Sequence, residues 1–146
     1  NKAERFAIID WDVHHGNGTE HIFYNDPNVL TISLHQERNY PLDTGDAGDI
    51  GGENAPFLNM NIPLMPGGGT AAYKTAFEQL VLPKLEAFKA DIVIVACGFD
   101  ASGVDPLSRM LLGAADFAML TEMLMEQTSG KLVMAHEGGY SEAHAF

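Results

Sequence analysis

The sequence predicts an α/β fold built on a parallel sheet, and three observations carry that expectation. Short apolar runs recur along the chain, most of them without the alternation of a half-solvated strand. Segments with helical spacing separate these runs, and strand–helix alternation is the pattern of a layered α/β domain. The chain has 146 residues, 46% of them hydrophobic, which is close to the modal domain size and enough to bury a core without staples.

Five runs read as strands buried on both faces: Phe6–Ile9, Val29–Leu34, Phe57–Ile62, Ile92–Ala96 and Lys131–Ala135. Asn17–Tyr24 reads as one short helix. Thr70–Ala87 follows three glycines, so Thr70 is the expected N-cap, and Tyr73, Phe77, Leu80, Val81 and Leu85 form its apolar stripe. Pro83 falls inside this segment and predicts a kink or break. Ala114–Thr128 places Phe117, Leu120, Leu124 and Met125 at similar spacing, with Gly130 as the stop. Residues Glu37–Ala55 form an irregular, glycine-containing and acidic connection of about 19 residues, long enough to be expected to fold over a site.

Charge and composition narrow the function. Lys plus Arg is 8 and Asp plus Glu is 20, a net charge of −12, which argues against a nucleic-acid partner because those proteins need a basic footprint. It suits a cationic partner or a site built from carboxylates. Asp43, Asp46 and Asp49 lack the spacing of a calcium loop and are expected to form a solvated rim that attracts cationic substrates. No apolar run approaches the ~20 residues of a membrane span, so no membrane partner is expected. The single cysteine, Cys97, forms no internal disulfide and points to a reducing, cytoplasmic location. At a strand end it reads as packing rather than as a nucleophile. Gly67-Gly68-Gly69-Thr70 lacks the lysine of a P-loop and reads as a turn.

The chemistry concentrates at three strand ends, where ligands of open α/β sheets bind. After the first strand come Asp10, Asp12, His14 and His15; Asp12 and His14 are two apart, so on extended chain they project to one side. After Ile92–Ala96 comes Asp100, where an unpaired buried charge would be expensive. After Lys131–Ala135 comes Glu137-Gly138-Gly139-Tyr140, whose glycines allow a tight approach that aims the tyrosine. Taken singly, each reads as well as a helix cap or a turn. Together they offer two carboxylates and one imidazole, which neutralise Zn²⁺ and leave a position open, as catalytic zinc sites do. His21, His136 and His144 are assigned to no metal.

These residues form an ordered set that resembles the zinc-dependent histone deacetylase family, including the acetylpolyamine amidohydrolases. The matching stretches are D-x-D-x-H-H-G-N-G at Asp10–Gly18, T-I-S-L-H at Thr31–His35, Y-P-x-x-T-G at Tyr40–Gly45, G-F-D-A-x-x-x-D-P-L at Gly98–Leu107 and E-G-G-Y at Glu137–Tyr140. Asn17 and Glu137 look closer to the class II branch. The resemblance implies an α/β fold of the three-layer arginase–deacetylase type, with residues 1–146 being the C-terminal-central portion of one catalytic domain. It implies zinc on Asp12, His14 and Asp100, and Tyr140 as donor to the oxyanion. It also implies a potassium ion held by Asp10, Ser33 and Leu34 with the backbone of Asp12 and His14. Tyr40 and Leu107 would line the substrate channel, and Asp10, His15, Asn17 and Asp105 would support the site from behind.

The implied substrate is an acetyl-lysine peptide or another acetylated amine, with acetylpolyamine hydrolysis as the alternative. The family's adjacent histidine pair, the general base and acid, lies upstream of the first zinc motif; none of the nine residues before Asp10 is histidine. The chain therefore reads as a fragment, inactive alone, or as a truncated metal-binding module without catalysis. An open sheet edge in such a piece would favour homo-oligomers.

Overall fold

The computed structural model describes residues 3–141; His144 lies outside them. Five strands, β1 (Phe6–Asp10), β2 (Val29–Gln36), β3 (Asn59–Leu64), β4 (Ile92–Cys97) and β5 (Leu132–His136), form one sheet in the order β3-β2-β1-β4-β5. All four pairings are parallel. The chain winds outward from β1 to β3, returns across the sheet, and continues through β4 to β5, so the strand order reverses between β1 and β4. That reversal opens a crevice beyond the carboxyl ends of these two strands.

Register decides what each face carries. Ala7 and Ile9 of β1 lie beside Leu30 and Ile32 of β2 and beside Val93 and Val95 of β4. This row is buried under Tyr73, Phe77, Val81, Leu85, Phe88, Phe117, Leu120 and Leu124. Those side chains come from α2 (Thr70–Ala76), a π-helical turn (Phe77–Val81), α3 (Leu82–Phe88) and α4 (Ala114–Thr128). On the opposite face, Thr31 and Ser33 of β2 lie beside Asn59 and Asn61 of β3, beneath α1 (Asn17–Phe23). Only β2 is buried along its whole length. On β1 and β4 burial alternates, and most of β5 is exposed. The expectation that every strand is buried on both faces therefore holds for β2 alone, because nothing among the described residues covers Phe6, Ile8, Ile92, Ile94 and Val133 as the helices cover the other side.

Three local expectations need correction. The third strand starts at Asn59 rather than Phe57, because Phe57 takes a left-handed conformation (φ 64°) that ends the preceding turn. Thr70 is the first helical residue and Gly69 is the N-cap, its carbonyl accepting from the Tyr73 N–H at 3.2 Å. Pro83 does not break the helix. It falls in the first turn of α3, directly after the π-turn, where its missing N–H interrupts no regular α-helical ladder. At the start of α4 the Asp116 carboxylate accepts the Gly113 N–H at 2.8 Å, a capping contact.

The long connection between β2 and β3 has no regular structure, and a buried polar network holds it down. Glu20 of α1 is the hub: its Oε2 accepts from Asn59 Nδ2 at 2.8 Å and Asn61 Nδ2 at 2.7 Å. His15 Nε2 donates to the same oxygen at 3.2 Å. The two carboxamides also donate to the loop carbonyls of Asp49 at 2.6 Å and Asp46 at 3.2 Å. His35 Nε2 donates to the Gly45 carbonyl at 3.1 Å, while its Nδ1 accepts from the Ser33 hydroxyl at 3.0 Å. Burial, with the neighbouring His15 ring, pushes His35 down to about 4 and keeps it neutral in this role. Gly45 sits at φ 79°, and a Cβ there would overlap His35 Nε2. Replacing Glu20 strands buried donors, each costing on the order of 1–3 kcal/mol. Glu20→Ala should lower stability by about 2–3 kcal/mol in urea unfolding and should expose the bond after Arg38 to trypsin, whereas Glu20→Gln should be intermediate.

Candidate metal centre

Three strand ends meet at the crevice. Asp12 and His14 lie on the turn after β1, Asp100 follows β4, and Gly138 follows β5. Candidate ligand atoms of Asp12, His14 and Asp100 all lie within 4.8 Å of one another. His14 Nδ1 is 3.0 Å from Asp12 Oδ1 and 3.0 Å from Asp100 Oδ2. Tetrahedral zinc with bonds of 2.0–2.1 Å places its ligand atoms about 3.3 Å apart, so this cluster needs little adjustment to hold the ion. Two carboxylates with a neutral imidazole also match its charge.

The remaining carboxylate oxygens are used to fix these groups. Asp100 is fully buried, and its Oδ1 accepts the Val13 N–H at 2.7 Å. Asp12 Oδ2 accepts the Gly138 N–H at 2.9 Å, and Asp10 Oδ1 accepts the Asp12 N–H at 3.0 Å. Burial, with Asp12 alongside, pushes the Asp100 carboxyl well above the usual carboxylate range. Burial followed by Asp12, with Glu137 and Asp100 adding to it, raises Asp10 to about 8. Crowded acids of this kind favour a cation. Gly138 is required at its position, because a Cβ would overlap the carboxylates of both Asp100 and Asp12.

Asp105, also buried, ties two loops together. Its Oδ1 accepts the Leu107 N–H at 2.9 Å and its Oδ2 accepts the Tyr140 N–H at 2.7 Å. The Tyr140 ring lies edge-on to His14 at 6.1 Å, and Tyr40 does the same at 6.3 Å. Leu107, Asn17, Tyr40 and Tyr140 line a cleft of about 490 Å³ that contains Asp12 and His14. Partial burial, then the neighbouring Asp12 and Asp100 carboxylates, hold the Tyr140 phenol above its ordinary value, so it stays a proton donor.

The other sequence-predicted residues fall into place around this cleft. His15 is buried and turned toward Glu20 and the His35 ring, 4.8 Å away. Asn17 is exposed at the start of α1. The β1–β2 register sets Asp10 beside Ser33, whose Oγ accepts the Gly16 N–H at 3.3 Å; Leu34 is fully buried in β2. Asp43, Asp46 and Asp49 do not line the cleft. Sequence reading missed Glu20, Asn59 and Asn61, whose partners lie on other elements; the only hint was the alternation of two asparagines with Met60 and Ile62 in β3.

Residues 1–145 match the histone deacetylase domain family. This chain belongs to that family. A histone deacetylase-like amidohydrolase from Pseudomonas aeruginosa is 49% identical over 146 residues, covering 97% of this chain and 38% of its own length. The histone deacetylase Clr3 of Schizosaccharomyces pombe is 43% identical, over 97% of this chain and 21% of its own. The solved Clr3 structure superposes with a TM-score of 0.92 over 96% of this chain and 24% of that one. The HDA15 HD domain superposes at 0.94 with 40% identity, over 98% of this chain and 42% of that one. The chain thus spans less than half the length of each of these relatives. Its parallel α/β sheet is the arginase–deacetylase architecture expected from the sequence.

The close approach of Gly138 to the acids gives a direct check on the candidate metal centre. Gly138→Ala should push Asp12 and Asp100 apart and weaken zinc affinity by about 10–100-fold, the range seen when groups supporting metal ligands are lost. Competition against a chromogenic chelator reads this directly.

Proposed function

We propose that this domain is the metal-binding part of a zinc-dependent amidohydrolase that removes acetyl groups from lysine side chains. The observation that carries the reading is the Asp12–His14–Asp100 cluster at the floor of a cleft that also holds the Tyr140 phenol. Zinc on those three residues would supply a Lewis acid for the amide carbonyl and lower the pKa of the attacking water.

This chain's residues do the rest of the positioning. Val13 and Gly138 N–H groups fix the carboxylates that would hold the ion. Tyr40 and Leu107, at the cleft wall, would flank the aliphatic arm of the acylated amine. Tyr140 donates its phenolic proton as a hydrogen bond to the oxygen that becomes negative when water adds to the carbonyl. Asp105 holds the Tyr140 backbone for this contact. The proton of the attacking water goes to the family's adjacent histidine pair, which the residues before Asp10 do not include. A potassium ion on the carbonyls of Asp10, Asp12, His14 and Leu34 with the Ser33 hydroxyl would brace the β1–β2 edge behind the zinc ligands.

Buried, unpaired Cys97 supports a reducing, cytoplasmic setting. Among the described residues no helix is long and apolar enough to cross a membrane. The unpaired outer edge of β5 suits association with a further sheet or a second copy.

Two measurements test the reading. Zinc added to chelator-stripped protein at 100 times its Kd should stabilise the fold by about 2.7 kcal/mol, with one ion per chain by elemental analysis, and Asp100→Ala should abolish both. In zinc-loaded protein extended upstream to supply the histidine pair, Tyr140→Phe should lower kcat on an acetyl-lysine peptide by about 10²–10³ with little change in KM, the loss typical of one oxyanion donor. An unchanged kcat would remove Tyr140 from the mechanism.

A further inference from the structure

Beside the cleft lies a second recess of about 640 Å³, lined among others by Arg38, Arg109, Gln36 and Met65. The two cavities share Asn39 and Leu107 as a common wall. Arg5, Arg38 and Arg109 are the only arginines of a chain whose net charge is −12, and two of them line this one recess. The single acid among its lining residues is Glu37, whose carboxylate lies 3.9 Å from Arg38 Nε, both side chains being solvated. Asp43, Asp46 and Asp49, expected to make the rim attractive to cations, line neither cavity.

The backbone that presents these guanidinium groups is anchored on several sides. The Arg109 N–H donates to the side-chain oxygen of buried Gln36 at 2.7 Å, and its carbonyl accepts from Gly67 at 2.8 Å. Gln36 is itself tied to the zinc-ligand turn, its N–H donating to the Val13 carbonyl at 2.9 Å. Arg38 sits in the left-handed region at φ 53°, a conformation uncommon for residues other than glycine. Its neighbour Glu37 is fixed to β3 by an N–H to the Leu64 carbonyl at 2.8 Å.

We propose that this recess is a subsite for a carboxylate carried by the acylated substrate outside the cleft. This rests on the deacetylase reading, in which the acyl-lysine arm fills the cleft and the rest of the substrate lies over Leu107. A guanidinium binds a carboxylate in a two-pronged fork geometry, and either arginine at this recess can offer one. The carboxylate comes from an acidic residue near the acetyl-lysine or from a free α-carboxylate. A polyamine presents only ammonium groups at the same place and meets like charge, so the recess selects acidic acetyl-lysine substrates over acetylpolyamines.

The test uses zinc-loaded protein extended upstream to supply the histidine pair, and four acetyl-lysine substrates: a peptide amide with Asp beside the acetyl-lysine, the same peptide with Ala, the same with Lys, and the Ala peptide ending in a free carboxylate at the acetyl-lysine. At low salt kcat/KM should be about threefold higher for a carboxylate-bearing substrate than for the Ala amide, the range of a solvated ion pair, and lowest for the Lys peptide. The gain should shrink as salt is raised. The Arg38→Gln/Arg109→Gln double variant should bring the four substrates to a common value. Preference for the Asp peptide alone, or for the free carboxylate alone, names the source of the anion. Equal kcat/KM for all four, or an ordering that survives in the double variant, overturns the proposal. Fluorescence anisotropy of labelled copies reads the same ordering without turnover. If the Ala peptide is not hydrolysed, the deacetylase reading falls, and the anisotropy ordering still decides for or against the arginine subsite.

Discussion

Two carboxylates, Asp12 and Asp100, are held on either side of one imidazole nitrogen, and the arrangement of the crevice follows from that constraint. Like charges this close are tolerated with donors on their outer oxygens and a proton or a cation between them. The fold supplies the donors from two separate strand ends, the Val13 amide from the turn after β1 and the Gly138 amide from the turn after β5, while Asp10 accepts the Asp12 N–H and fixes that turn. Reversal of strand order between β1 and β4 is what lets these ends converge without a crossing connection. The glycine at 138 is the steric counterpart of the same demand, since the chain must pass against both acids with no side chain in the way.

Much of this was legible in the sequence because it is local or lies at a strand end. Five apolar runs gave five strands, and the acids, histidine and tyrosine that follow three of them meet as expected. Where reading failed, the deciding contact was remote or conformational. Phe57 looked like the start of a strand by hydrophobicity, but its positive φ makes it part of a turn. Pro83 looked like a breaker, yet a π-turn places it in the first turn of a new helical segment, where its missing donor is harmless. Glu20 carries no motif of its own, and its importance comes from two asparagines 39 and 41 residues away. No periodicity reports such a pairing.

The network under the rim loop and the contacts of Asp105 hold the two walls of the cleft. Hydrogen bonds to Asp46, Asp49 and Gly45 hold a loop with no secondary structure of its own, so Tyr40 stands at the mouth without a helix or strand beneath it. On the other wall, Asp105 fixes Leu107 and Tyr140 with one carboxylate. Two acids outside the candidate metal cluster, half-buried Glu20 and buried Asp105, thus act as hydrogen-bond acceptors that hold the loops around the cleft. Arg38 and Arg109 lie beyond Leu107, so the surroundings of the cleft are not uniformly acidic despite the composition of the chain.

The bond from Gly138 to Asp12 joins residues 126 positions apart, nearly the whole described length. Every strand pairing is parallel and non-local, so long loops must close before native contacts reward them, the condition that makes folding slow. Gly138 reaches Asp12 only after β5, the last strand among the described residues, has docked beside β4. The bond is thus a topological latch: it closes a loop of nearly the whole described chain and pins the end of an exposed edge strand to the turn after the first strand.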